Sequence, residues 1–127
     1  PDTNAIRALI KDLDGRSAAL RGIFDFDARQ ERLTEVSREL EDPEIWNDPE
    51  RAQELGRERA RLEEVVLTLN NMTQALQDAA ELLEIAAEEG DQETLDAVDI
   101  DLQALDAAIV GAGRERLRPI LMTTATT

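Results

Sequence analysis

The sequence of 127 residues contains no cysteine, no histidine and no tyrosine. Without cysteine, the chain has no disulfide framework and no thiolate ligand for a metal ion. Without histidine, it lacks the side chain that most often acts as a general base or metal ligand, and Ser-His-Asp and Cys-His sites are excluded. We therefore predict that the chain is not an enzyme and that it has no catalytic residue, no cofactor-binding residue and no metal site.

Carboxylates are the remaining reactive groups, because the chain has 29 acidic residues. A buried pair of carboxylates could carry out acid–base chemistry, and a Glu or Asp that titrates near neutral pH would be its first sign. Acids such as Glu63, Glu84 and Glu88 lie opposite the apolar positions of their segment. We therefore interpret the acidic residues as a solvated surface.

Aromatic residues are rare and comprise Phe24, Phe26 and Trp46. The core has to be built from Leu, Ile, Val and Ala, and this composition favours helices over strands. No apolar run approaches the ~20 residues needed to cross a bilayer. We predict an all-α fold that does not associate with membranes.

The 29 acidic and 14 basic residues give a formal net charge of -15. Such a surface repels phosphate, which argues against direct binding to nucleic acid and to anionic membranes. The expected partners are proteins with basic or apolar patches. The first residues show no basic segment followed by an apolar stretch, so we expect no signal peptide and a cytoplasmic location.

The first half of the chain predicts two helices. Apolar residues three and four apart predict a helix over about 3–20, with Gly22 as its stop. We interpret residues 23–27 as a linker whose two Phe rings fill the bundle. Asp27 is the predicted N-cap of a second helix over about 28–40.

The dipeptides Asp42-Pro43 and Asp48-Pro49 each place a capping acid before a proline at the first helical position. The first predicts a single turn and the second predicts the start of the main helix. Trp46 lies between them and has two interpretations, a hot spot for a partner or an anchor that fixes the loop to the core. We favour the core anchor.

The main helix is predicted over 49–89, with Gly90 as its C-cap and Asp91 as the cap of the next helix. Leucine recurs in it at every seventh position, at Leu55, Leu62, Leu69, Leu76 and Leu83. This ladder is either the seam of a coiled-coil dimer or the inner stripe of an intramolecular bundle. The apolar surface is wider than a strict seam and further amphipathic segments need a surface to cover, so we favour a bundle and a monomer.

A last helix is predicted over about 92–110, antiparallel to the C-terminal half of the main helix because the connection is short. Gly111-Ala112-Gly113 is expected to break the helical pattern. The predicted architecture is an antiparallel helical bundle, or helical hairpin, built on one long helix. We predict one helical domain over residues 1–110 and a divergent or flexible tail over 111–127.

Two stretches, Leu20–Ala28 and Pro43–Gln53, carry a family resemblance. The second is similar to the Pro-x-x-Trp-Asn-x-Pro-x-x-Ala-Gln element of the bacterial peptide chain release factor 2 family, and it is the more specific of the two. The similarity extends over about Ile6 to Ile109. After Ile109, the segment Val110–Met122 departs from the family pattern, which leaves the origin of the tail open.

The resemblance implies the N-terminal helical domain of a factor that recognises UAA and UGA stop codons and triggers hydrolysis of peptidyl-tRNA. The implied partner is the ribosome, through the full-length factor, at a protein of the stalk base. The family's Ser-Pro-Phe and Gly-Gly-Gln tripeptides do not occur in this sequence, so no functional residue can be carried over. The alternative is a free-standing coiled-coil adaptor or regulatory protein without termination activity.

Overall fold

A computed structural model describes residues 2–114. Within this range the chain forms four α-helices, one 3₁₀ turn and no strand, which confirms the predicted all-α class. The elements in chain order are α1 (Thr3–Ile23), α2 (Phe26–Glu41), the 3₁₀ turn (Pro43–Asn47), α3 (Pro49–Glu89) and α4 (Gln92–Arg114). No helix in this part of the chain is long and apolar enough to cross a membrane.

Helix α3 is the longest element, and its ends are fixed by capping. The Asp48 side chain accepts a hydrogen bond from the Arg51 backbone N–H at 3.2 Å. At the other end, Gly90 adopts the left-handed conformation with φ 68°, and its N–H donates to the last turn of α3. The 41 residues between these caps extend over about 60 Å at the helical rise. The predicted bounds of the main helix are confirmed.

The leucine ladder of α3 is buried by helices of the same chain. All five leucines are 7% exposed or less, and α1, α2, α4 and the 3₁₀ turn pack against α3. A dimer seam would instead be open to solvent in a single molecule. The interpretation as an intramolecular bundle is therefore confirmed.

Helices α1 and α2 lie in tandem along α3, and both run antiparallel to it. The start of α1 is at the C-terminal end of α3, where Arg7 Nε lies 2.8 Å from a Glu84 carboxylate oxygen. Near the end of α1, the Arg21 guanidinium donates to the Thr73 hydroxyl at 3.0 Å. Helix α2 continues in the same direction and brings Glu39 to Arg51, at 3.0 Å.

The core divides into a large and a small cluster along α3. The large cluster joins α1 and α4 to the C-terminal half of α3, and it includes Leu13, Leu69, Met72, Leu76, Leu83 and Leu102. The small cluster joins α2 and the 3₁₀ turn to the N-terminal half, and its buried residues are Val36, Ile45, Ala52, Leu55 and Leu62. The N-terminal half of α3 is therefore held by fewer buried side chains.

The joint between α1 and α2 is shorter than predicted. Helix α1 runs through Gly22 to Ile23, and only Phe24 and Asp25 lie between the two helices. The residue that precedes α2 is Asp25, in the left-handed conformation with φ 54°, so the prediction of Asp27 as N-cap is wrong. Phe26 is buried and Phe24 packs beside it, which confirms that both rings fill the bundle.

Helix α4 turns back along α3 after a two-residue connection, as predicted. The Asp91 carboxylate accepts from the Thr94 N–H at 3.1 Å and caps the helix, as expected. On its other side α4 runs parallel to α1, with Arg16 and Asp106 paired at 2.9 Å.

The expected break at Gly111-Ala112-Gly113 is wrong, because α4 continues to Arg114. Ala112 extends the apolar repeat of Leu105 and Ile109 and is buried. This packing offsets the roughly 1 kcal/mol by which each helical glycine disfavours the helix. The predicted domain boundary at residue 110 stays a prediction, and the tail beyond Arg114 lies outside the described residues.

Candidate docking surface

The carboxyl groups with displaced pKa values are held by hydrogen bonds at the surface. Glu58 accepts two hydrogen bonds from Arg32, at 2.7 and 2.9 Å, and Glu84 accepts two from Arg7, both at 2.8 Å. These bonds lower the pKa of both carboxyls below the usual value. Such a shift favours the ionised form and is opposite to that of a proton donor at neutral pH. Within residues 2–114, no group of three acids is placed to hold a metal ion.

A shallow cleft of about 340 Å³ lies at the joint of α1 and α2, and Arg21 and Phe26 line it. The Arg21 guanidinium is already engaged, because it bonds to Thr73 and lies 3.7 Å from the centre of the Phe26 ring. The cationic group of the cleft therefore stabilises the joint between the helices.

Large apolar side chains are exposed at several points of the surface. They are Ile23, Trp46, Leu67, Leu82, Ile85 and Ile100. Leu82 and Ile85 are three residues apart on α3 and form a small patch on the side of α3 away from the ladder. Single exposed leucines and isoleucines are common in soluble proteins, so these residues alone do not mark a site.

Trp46 differs from the other exposed residues because it is the one tryptophan of the chain and is 70% exposed. The prediction that Trp46 anchors the loop to the core is wrong. The anchor is its neighbour Ile45, which is buried in the small cluster. Successive residues of a 3₁₀ turn point about 120° apart, so burial of Ile45 directs Trp46 towards solvent.

The backbone that carries Trp46 is fixed on both sides, and we call residues 42–48 the tip. The Asp42 carboxylate accepts from the Glu44 N–H at 3.0 Å. The backbone N–H groups of Ile45 and Asp48 donate to the carbonyls of Asp42 and Ile45, each at 3.0 Å. The prolines after Asp42 and Asp48 restrict the chain further. Trp46 is thus presented on a rigid support.

The surroundings of the tip are strongly acidic. Residues 39–54 contain seven acids and a single basic residue, Arg51. Arg51 is paired with Glu39 at 3.0 Å and with Glu54 at 3.4 Å, so its charge is compensated locally. The tip therefore combines an exposed aromatic ring with a negative potential.

Fold and surface together define an acidic, all-helical bundle with an exposed aromatic tip. Residues 29–125 match the PCRF domain family. This match covers most of the chain, and the chain belongs to the PCRF domain family.

Curated relatives extend the comparison over 85% of the chain. Peptide chain release factor 2 of Yersinia pseudotuberculosis serotype O:1b (strain IP 31758) is 47% identical over 108 residues. The proteins of the same name from Xanthomonas euvesicatoria pv. vesicatoria (strain 85-10) and Shewanella baltica (strain OS223) are 53% and 50% identical. The chain spans about 30% of the length of these relatives. The resemblance inferred from Leu20–Ala28 and Pro43–Gln53 is confirmed.

Proposed function

We propose that this chain is the N-terminal helical module of a release factor 2-like protein and that it docks this protein on the ribosome in translation termination. The observation that carries the proposal is the match at about half identity to proteins named peptide chain release factor 2. The chain corresponds to 30% of such a protein or less. Recognition of UAA and UGA and hydrolysis of peptidyl-tRNA would belong to the full-length factor, because the Ser-Pro-Phe and Gly-Gly-Gln tripeptides are absent here.

The charge of the module supports a protein as its direct partner. A net charge of -15 opposes close approach to ribosomal RNA, whereas basic ribosomal proteins would attract it. We propose a protein of the ribosomal stalk base as this partner and the cytoplasm as the location. The burial of the leucine ladder within one chain supports a monomer.

A release assay tests the proposal directly. Ribosomes that carry labelled peptidyl-tRNA and a stop codon are mixed with the purified chain or with a full-length release factor 2. We expect the chain to sediment with the ribosomes but to release no peptide, and the full-length factor to release it. Stop-codon-dependent release by the chain alone, or failure to sediment at low salt, would contradict the proposal.

The gene provides a second test, independent of binding. If the chain is a module of a longer factor, the reading frame beyond Thr127 should encode the Ser-Pro-Phe and Gly-Gly-Gln tripeptides. Sequencing of the messenger RNA checks this. A stop codon followed by no reading frame that encodes the two tripeptides would contradict the proposal that the chain is part of a release factor.

A further inference from the structure

The exposure of Trp46 is unusual for the side chain concerned. Tryptophan offers the largest apolar surface of all residues and is enriched among the residues that dominate binding energies. Its exposure here is imposed by the fold, because Ile45 fills the small cluster and the tip backbone is hydrogen-bonded on both sides. A rigid support lowers the entropy lost when a partner binds. The tip therefore has the physical properties of a preformed anchor.

The position of the tip leaves it accessible. Within residues 2–114 the 3₁₀ turn packs only against α2 and α3, at the N-terminal end of α3. Helix α4 and the start of α1 lie at the opposite end, as the pairing of Arg7 with Glu84 shows. A partner can thus reach Trp46 without displacing any described helix.

The negative charge around the Trp46 indole favours a partner that carries positive charge. Glu41, Glu44 and Glu50 are exposed and form no ion pair among the described residues. An indole face carries a negative quadrupole and attracts arginine and lysine, and nearby carboxylates strengthen this attraction. The same charges repel nucleic acid and a second copy of this chain.

We propose that the tip, with Trp46 as its anchor, is a docking site for a basic protein surface that places an arginine or lysine side chain on the indole. The proposal rests on the docking role proposed above and adds to it the surface and the partner chemistry. Trp46 supplies the contact area, and the surrounding carboxylates supply the preference for a cation.

A binding experiment with a defined probe tests the site. The probe is a short fluorescein-labelled peptide of alternating glycine and arginine, and its counterpart carries citrulline, which keeps the shape of arginine without the charge. The full 127-residue chain is compared with Trp46→Ala and Trp46→Leu. Ile100→Ala is the matched control, because Ile100 is 66% exposed on α4.

The arginine peptide should quench the fluorescence of Trp46 and bind the original chain and Ile100→Ala equally. Both Trp46 variants should bind it about threefold more weakly or worse, because leucine keeps apolar area but has no aromatic face. The citrulline peptide should bind weakly to every variant. Equal affinity of the original chain and the Trp46 variants, or no binding of the arginine peptide to the original chain, would overturn the proposal. Circular dichroism shows whether the variants are folded.

Ribosome sedimentation separates this inference from the proposed function. If the chain sediments and Trp46→Ala does so equally well, docking on the ribosome stands and the tip site is overturned. If the chain does not sediment with ribosomes but binding of the arginine peptide requires Trp46, the ribosomal role fails and the tip site stands. A photoreactive residue in place of the exposed Asn47, beside an intact Trp46, should cross-link to a basic ribosomal protein, and cross-linking to ribosomal RNA would overturn the proposal.

Discussion

Arginine supplies the ion pairs that link the helices within residues 2–114. Only Lys11 among the 14 basic residues is a lysine, so the remaining 13 are arginine. A guanidinium group can donate two parallel hydrogen bonds to one carboxylate, as Arg7 does to Glu84 and Arg32 does to Glu58. These pairs link α1 and α2 to α3 at the surface of the bundle. Lysine could provide the charge but not this geometry.

The Arg32–Glu58 pair predicts a pH-dependent contribution to stability. Hydrogen bonding from Arg32 lowers the pKa of Glu58 below the ordinary glutamate value of 4.5. The stabilisation is therefore fully present above pH 4.5 and is lost as the pH falls through the folded pKa. We expect Glu58→Gln to lower the melting temperature modestly at neutral pH and to leave it unchanged in strong acid.

The control for this experiment is Glu63→Gln, which removes the same charge from an exposed position of α3 without an ion pair. Thermal melts followed by circular dichroism at several pH values give the difference between each variant and the original chain. A Glu58→Gln effect of the same size in strong acid and at neutral pH would contradict the assignment of the effect to the ion pair.

Two glycines of α3 and its cap are predicted to respond oppositely to alanine. Gly90 has φ 68°, where a Cβ is strained, so Gly90→Ala should destabilise the protein by about 1 kcal/mol. Gly56 lies within the helix, and a methyl group added there would meet no atom of a neighbouring helix within 4 Å, so Gly56→Ala should stabilise the protein by about 1 kcal/mol. Urea denaturation measures both. A stabilising Gly90→Ala would contradict the described cap, and a destabilising Gly56→Ala would contradict the open space beside that position of the helix.

Helix α3 has a buried side and a solvent-exposed side. Two leucines that are two positions apart in the sequence lie on different sides. Leu69 is fully buried in the ladder, whereas Leu67 is 54% exposed, because two residues rotate the side chain by about 200° around the helix. Leu69→Ala should lower the free energy of unfolding by about 2–5 kcal/mol. Leu67→Ala should change it by less than about 0.5 kcal/mol. Chemical denaturation of the two variants side by side checks the assignment, and similar losses would contradict it.

The elements that were predicted correctly are those with a local signal. Helix α3 and the start of α4 were predicted from the leucine repeat, the Asp-Pro pairs and Gly90-Asp91. These signals are local, because the spacing of apolar residues and the capping residues depend only on nearby positions in the sequence. The joint at Phe24–Asp25 differs from the prediction, because a left-handed Asp25 directly precedes the buried Phe26. No local pattern reports that packing.

The tip and the end of α4 were missed for related reasons. Ile45 is buried in the small cluster and its neighbour Trp46 is exposed, and the sequence does not show which of the two side chains is buried. Similarly, Gly111 and Gly113 are typical of a helix end, but the packing of Ala112 in the core overrides that local signal. In both cases tertiary contacts decided between two locally acceptable structures.

At the scale of the whole molecule, burial of the leucine ladder and the net charge both disfavour dimerisation, whereas their effects on the stability of the fold are opposite. The bundle covers its leucine ladder internally, which removes the apolar seam that would drive dimerisation. The net charge of -15 makes the approach of a second copy unfavourable at low salt. Repulsion among the acidic side chains of one molecule also lowers the stability of the folded state. Repulsion between copies and a loss of stability at low salt are therefore both expected from the excess of acidic residues.

The final prediction combines burial and charge. Sedimentation velocity should show an elongated monomer, because α3 alone spans about 60 Å. Raising the salt from about 0.01 M to above 0.1 M shortens the screening length from roughly 30 Å to 10 Å or less, so the melting temperature should rise as self-repulsion weakens. The monomer should persist at both salt concentrations, because no ladder is available for pairing. A dimer that forms as repulsion is screened would show that the exposed apolar residues, with Leu82 and Ile85 the first to substitute, pair between copies.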